Sequence, residues 1–150
     1  MIKFLAFSIL LAISFKPLAE DNKPVEMIVY RSASCGCCAK WIEHVKQHQF
    51  KVKSVISDDM QAIKEKYAIP EKLASCHTAV VEGYIIEGHV PADDIRNLLA
   101  KKPNIAGIAA PGMPLGSPGM EVDGQQQAYR VISFDKDNKF EVFAEHEDSK

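Results

Sequence analysis

The chain has 150 residues, with 18 lysines and arginines against 20 acidic residues, and only four cysteines. That length holds one domain with a core of its own. A near-balanced charge with no long basic stretch argues against a nucleic-acid partner.

The N-terminus reads as a secretory signal. Lys3 supplies the positive charge, Phe4 to Phe15 form an apolar stretch broken only by serines, and Ala19 is the expected last residue before cleavage. The run is shorter than the about 20 apolar residues that cross a bilayer, and no cysteine follows it to carry a lipid. A signal peptide over 1–19 leaves a mature domain over 20–150 with no membrane span. Losing Lys3 and Lys16 takes the basic residues from 18 to 16 against 20 acidic ones, a net charge of about −4. Export places the cysteines in an oxidising compartment.

Met27-Ile28-Val29-Tyr30 reads as a buried strand. Ser32 and Ser34 are turn residues, with Ser34 a candidate cap for the next helix. From Cys38 a helical period brings Trp41, Ile42 and Val45 onto one face. Val52, Val55 and Ile56 mark a second strand. Asp58 and Asp59 open a helix carrying Met60, Ile63 and Tyr67, which breaks at Ile69-Pro70. Thr78–Val81 and Tyr84–Ile86 form a hairpin about Glu82-Gly83. Pro91 stands at a natural first helical position. The helix it opens buries Ile95, Leu98 and Leu99 and ends at Lys101-Lys102.

The order β-α-β-α-β-β-α predicts an α/β domain of thioredoxin-like arrangement, a central mixed sheet flanked by helices. Residues 103–124 hold four of the eight prolines and five of the eight glycines, so they read as a long Gly/Pro/Met-rich loop. Within it Pro111-Gly112-Met113-Pro114 is nearly repeated as Pro118-Gly119-Met120-Glu121. Tyr129–Phe134 and Phe140–Phe143 predict a last hairpin around Asp135-Lys136-Asp137-Asn138.

Three cysteines lie in the single turn Cys35-Gly36-Cys37-Cys38, and Cys76 precedes the third strand. Adjacent Cys37 and Cys38 are about 3.8 Å apart at Cα, below the usual disulfide range. Cys35 can bridge Cys38, and Cys37 or Cys38 can reach Cys76. A two-disulfide framework is therefore an alternative, though a chain of this size does not need one. A C-x-x-C pair at a helix N-terminus has depressed thiol pKa values and suits redox exchange, with Cys35 as nucleophile and Cys38 as resolving thiol. Against that, Cys37 would compete for mixed disulfides. Where thioredoxin-like enzymes carry a cis-proline before the third strand, the matching stretch here is Ser75-Cys76-His77-Thr78, with no proline.

Four converging thiols favour a soft cation. Cu(I) prefers thiolates and thioethers, and bridging thiolates can hold more than one ion. A single tetrahedral Zn²⁺ more often uses two separated C-x-x-C pairs. Met113 and Met120 add thioethers on a loop able to fold over the thiols; the alternative is that they fill gaps. His77 adjoins Cys76, but neighbours on a strand point to opposite faces, so it ligates only where the chain is irregular. His89 can approach from the sheet end, the alternative being a surface histidine. His44 reads as a packing residue, Trp41 as core, and nothing in the sequence singles out His48 or His146.

The stretch Tyr30-Arg31-Ser32-Ala33-Ser34-Cys35-Gly36-Cys37-Cys38, with Ser75-Cys76-His77-Thr78, Glu87-Gly88-His89-Val90-Pro91 and the loop from Gly107 to Met120, resembles the CopG-type bacterial copper-resistance proteins. The resemblance covers nearly all of the mature chain. It implies a periplasmic thioredoxin-like domain binding copper in a thiolate-bridged multi-copper centre. Cys35, Cys37, Cys38 and Cys76 are its implied ligands, and Met113, Met120, His77 and His89 further candidates. The expected function is Cu(I) binding in copper resistance, by sequestration or by transfer to other periplasmic copper-handling proteins, with a change of copper oxidation state chemically open. The alternatives are a thiol-disulfide oxidoreductase using Cys35 and Cys38, and a small structural zinc domain.

Overall fold

A computed structural model describes residues 23–148. The expected signal peptide over 1–19 lies outside them. The elements are β1 (Val25–Arg31), α1 (Gly36–Gln47), β2 (Phe50–Ile56), α2 (Met60–Lys66), a 3-10 turn (Glu71–Leu73), β3 (His77–Val81), β4 (Tyr84–Gly88), α3 (Ala92–Lys101), β5 (Gly107–Ala110), β6 (Tyr129–Phe134) and β7 (Phe140–His146). They build one mixed sheet of seven strands in the order β2-β1-β3-β4-β5-β6-β7. β1 runs parallel to β2 and β4 to β5, and the other pairs are antiparallel.

The apolar periods explain the layers. Trp41, Ile42 and Val45 of α1 and Ile95, Leu98 and Leu99 of α3 share one buried cluster with Met27, Val29, Ala79, Val81, Ile86 and Ile108 of the sheet. On the opposite face Leu73, Ile85, Ala109 and Phe134 form a smaller cluster, against which Tyr67 and Ile69 pack from the end of α2.

Three local expectations are corrected. The segment 103–124 is not all loop, because Gly107–Ala110 is a fully buried strand between β4 and β6. Its Gly-Ile-Ala-Ala sequence carries little strand signal. Gly107 is required because a Cβ there would strike the Ile85 carbonyl across the ladder. β5 is also what joins the C-terminal hairpin to the main sheet. Second, α1 begins two residues before Cys38, and Cys35 rather than Ser34 is its N-cap, its sulfur facing the Cys38 amide at 3.3 Å. Third, Pro91 is the N-cap of α3 rather than its first helical residue and offers no side-chain cap. The orphan Ala92 N–H instead donates to His44 Nε2 at 3.1 Å, which gives His44 a structural task.

Candidate metal centre

The site forms where the C-terminal end of β1 turns into α1. Antiparallel pairing sets Arg31, at the end of β1, opposite His77, at the start of β3. The turn before β3 therefore lies against the first turn of α1. The four sulfurs of Cys35, Cys37, Cys38 and Cys76 all lie within 4.8 Å of one another. Cys37 Sγ is 3.6 Å from Cys35 Sγ and 3.9 Å from Cys76 Sγ. Cys35 and Cys38 are joined by a disulfide, with Cα atoms 5.3 Å apart, and Cys37 and Cys76 are free thiols, both half-buried.

Two histidines converge on the same thiol. His77 Nδ1 is 3.4 Å and His89 Nε2 3.0 Å from Cys76 Sγ. Strand alternation does not separate Cys76 from His77, because Cys76 sits in the turn and β3 starts one residue later. His89 is fully buried rather than on the surface. Its Nδ1 lies 2.8 Å from the Pro118 carbonyl. A carbonyl only accepts, so Nδ1 carries the proton and Nε2 turns its lone pair to Cys76. His77 packs edge-on to His89 and lies against Trp41 at 4.3 Å between ring centres. Its buried Nε2 has no hydrogen-bond partner among the described residues. Trp41 is core as expected and also donates to the Val90 carbonyl at 2.8 Å.

Burial controls the protonation of these groups. It lowers His77 well below its ordinary value, helped by His89 and by the Lys64 charge. It also lowers His89, against the opposing pull of the Pro118 carbonyl. The Cys76 thiol is pushed up to about 12, first by burial and then by Cys37. A neutral imidazole offers a metal cation its free lone pair, and a protonated thiol gives up its proton when the cation binds.

The Pro/Gly/Met segment packs against the turn and helix that carry the thiols. A Cβ on Gly119 would come within 2.7 Å of the Cys37 carbonyl oxygen and 2.8 Å of the Trp41 nitrogen, so the loop backbone rests directly on the first turns of α1. Gly119 N–H donates to Glu121 at 2.8 Å, and Ser75 Oγ donates to the Gly112 carbonyl at 2.5 Å. These contacts bring the backbone beside Met120 and Met113 to the rim. Met113 is 52% exposed.

One buried charge beside the site is not among the candidates drawn from the sequence. Glu87 on β4 is fully buried and accepts from Ser75 N–H at 2.7 Å, Thr78 Oγ1 at 2.6 Å and Lys64 Nζ at 2.5 Å. Burial pushes its carboxyl up, opposed by the Lys64 charge and by the hydrogen bonds. In the sequence it is a lone glutamate ending the β-rich run Tyr84-Ile85-Ile86-Glu87, and it heads the stretch Glu87-Gly88-His89-Val90-Pro91 without itself reading as a ligand. Away from the site, His48 packs against His44 with the ring planes tilted by 42°, and His146 pairs with Asp94 at 2.7 Å. No helix of the described residues is long and apolar enough to cross a membrane.

Residues 73–120, which include Cys76, His77, His89 and both Pro-Gly-Met units, match a family model described as a protein of unknown function, DUF411. No curated protein matches the chain. Two solved structures do, named copper resistance protein CopG, Form 2 and Form 1. The first is 43% identical with a TM-score of 0.79, covering 83% of this chain and 99% of the other. The second is 42% identical over the same shares, also at a TM-score of 0.79. At that identity over that much of both chains, the protein belongs to the CopG copper-resistance family.

Proposed function

We propose that this protein binds Cu(I) in the periplasm through the thiolates of Cys35, Cys37, Cys38 and Cys76, in a centre holding more than one copper ion, and so contributes to copper resistance by sequestration or transfer. The observation that carries this reading is four sulfurs within 4.8 Å of one another at one turn. Cu(I) takes thiolate ligands at low coordination number and shares them between ions. His77 and His89 supply nitrogen from the Cys76 side, and Met113 and Met120 supply thioethers from the loop. The Cys35–Cys38 disulfide must first accept two electrons and two protons from a dithiol reductant, because a bridged pair offers no thiolates. The domain is thioredoxin-like, a reading supported by the order β2-β1-β3-β4 with the thiols between β1 and α1. Residues 1–19 are its export signal, and residues 20–150 its single domain.

The deciding experiment is Cu(I) titration of the reduced protein against a chromophoric Cu(I) chelator, with elemental analysis. The expected result is two or more coppers per chain, with thiols blocked to alkylation until the metal is stripped, and loss of copper and copper tolerance together in Cys37→Ser. Unchanged copper stoichiometry in that variant would overturn the reading. Stoichiometric zinc, with folding that fails on chelation, would replace it by a structural zinc site.

A second reading is favoured by the Cys35–Cys38 disulfide at the N-terminus of α1. A C-x-x-C disulfide there is suited to thiol-disulfide exchange. Disulfide-reductase turnover that survives Cys76→Ser is its signature, and an inactive wild type removes it.

A further inference from the structure

We propose that Glu87 is a positioning residue for Cys76: its buried carboxylate holds the Ser75 amide and thereby fixes where the Cys76 thiol stands. This deepens the copper-site reading and rests on it for its consequence in metal binding.

The geometry is specific. Glu87 and Thr78 are register partners on β4 and β3. Their side chains lie on the face of the sheet from which α2 sends Lys64, whose side chain is only 13% exposed. One carboxylate oxygen accepts from Thr78 Oγ1, and the other receives both Lys64 Nζ and the Ser75 N–H. A fully buried carboxylate is costly unless paired and hydrogen-bonded, and here each partner comes from a different element: α2, β3 and the turn before β3. The turn is the member that needs holding, because it has no ladder of its own.

Ser75 is fixed on two further sides. Its hydroxyl donates to the Gly112 carbonyl. Gly88 packs so closely that a Cβ there would lie 2.5 Å from Ser75 Oγ and 2.7 Å from the Ala110 carbonyl oxygen. The next residue is Cys76, whose sulfur stands 3.9 Å from Cys37 Sγ and 3.0 Å from His89 Nε2. A shift of the Ser75 backbone moves that sulfur away from both. Among the described residues Glu87 hydrogen-bonds to Lys64, Ser75 and Thr78 and to none of the candidate ligands, so it acts through the turn. Partners outside the ligand shell commonly govern metal affinity by about 10- to 100-fold.

The test separates positioning from the general benefit of a buried ion pair. Two double variants remove the pair together, which such sites often tolerate: Lys64→Met with Glu87→Gln, and Lys64→Met with Glu87→Leu. Glutamine still offers an oxygen to the Ser75 N–H, and leucine does not. The first readout is alkylation of Cys76 relative to Cys37 in metal-free protein carrying the Cys35–Cys38 bridge. The second is Cu(I) affinity of the reduced protein. The leucine double variant is expected to alkylate faster at Cys76 and to bind Cu(I) about tenfold or more weakly, with the glutamine one within about threefold of wild type on both. Equal behaviour of the two would overturn the proposal. If the leucine variant does not fold, Glu87→Asp keeps the charge on a shorter arm. It is expected to speed hydrogen exchange of the Ser75 amide and alkylation of Cys76, and unchanged rates there would overturn the proposal equally. A wild type that binds no copper would defeat the copper reading, while the alkylation and exchange comparisons would still decide the role of Glu87.

Discussion

Gly119→Ala is the substitution that most directly tests whether the Pro/Gly/Met loop rests on the thiol turn. Gly119 has φ of +87°, a conformation that costs an L-residue about 1–2 kcal/mol. The added methyl would also meet the Cys37 carbonyl oxygen at 2.7 Å, the Trp41 nitrogen at 2.8 Å and His89 Nδ1 at 3.2 Å. The first two atoms are helix backbone and cannot swing aside, so accommodation displaces either α1 or the loop, at a further cost of about 1–3 kcal/mol. If the loop lifts, the bond between His89 Nδ1 and the Pro118 carbonyl is lost, worth about 0.5–1.5 kcal/mol. The control is Gly83→Ala in the β3–β4 hairpin, where φ is +86° and none of the described residues lies within 4 Å of the added carbon. Urea melts of the metal-free protein should show Gly119→Ala the less stable by at least about 1 kcal/mol, the low end of that contact cost. Cu(I) release to a chelator should be faster in Gly119→Ala alone. Equal stability losses in the two variants would refute the packing of this loop on α1.

The raised Cys76 pKa makes a second prediction. With the thiol moved from 9.0 to about 12, the thiolate fraction at neutral pH falls about a thousandfold. Alkylation of Cys76 in the bridged, metal-free protein should be slow and should rise about tenfold per pH unit toward pH of about 11, whereas a rate matching the urea-unfolded chain would contradict the burial of this thiol. A third concerns acid. His77 is buried neutral with its pKa depressed from 6.5, so the unfolded chain binds a proton that the folded one refuses. The stability it contributes is complete above 6.5 and is lost as pH falls from there toward the folded-state value. At pH of about 5.5 the loss is about 1.4 kcal/mol. His77→Gln should remove that part of the acid limb in chemical melts at pH of about 7.5 and 5.5, and an unchanged limb would show that His77 is protonated in the folded chain.

The sequence by itself determined most of the element order and the place of the thiols. Trp41, Ile42 and Val45 recur at helical spacing, and the runs around Val29, Val52, Val80 and Ile86 are β-branched or aliphatic, so each element is written in its own residues. That order was enough to bring Cys76 toward the first three cysteines. β5 was illegible because Gly107–Ala110 has neither period nor bulk, and it is a strand only because β4 and β6 flank it. The helix starts were misplaced by one or two residues because their caps are unusual: a disulfide sulfur at α1, and a distant histidine at α3.

The tertiary structure alone decided the surroundings of Cys76. His77 shares its site because β3 begins one residue late, and His89 is buried because Pro118 folds back onto it from 29 residues away. Glu87 is satisfied in its buried place because α2, β3 and the turn before β3, 23, 9 and 12 residues away from it, deliver their donors to it. Local patterns record what each segment can bury. Hydrogen bonds that close between remote segments leave no period in the sequence, and the position of the fourth thiol depends on such bonds.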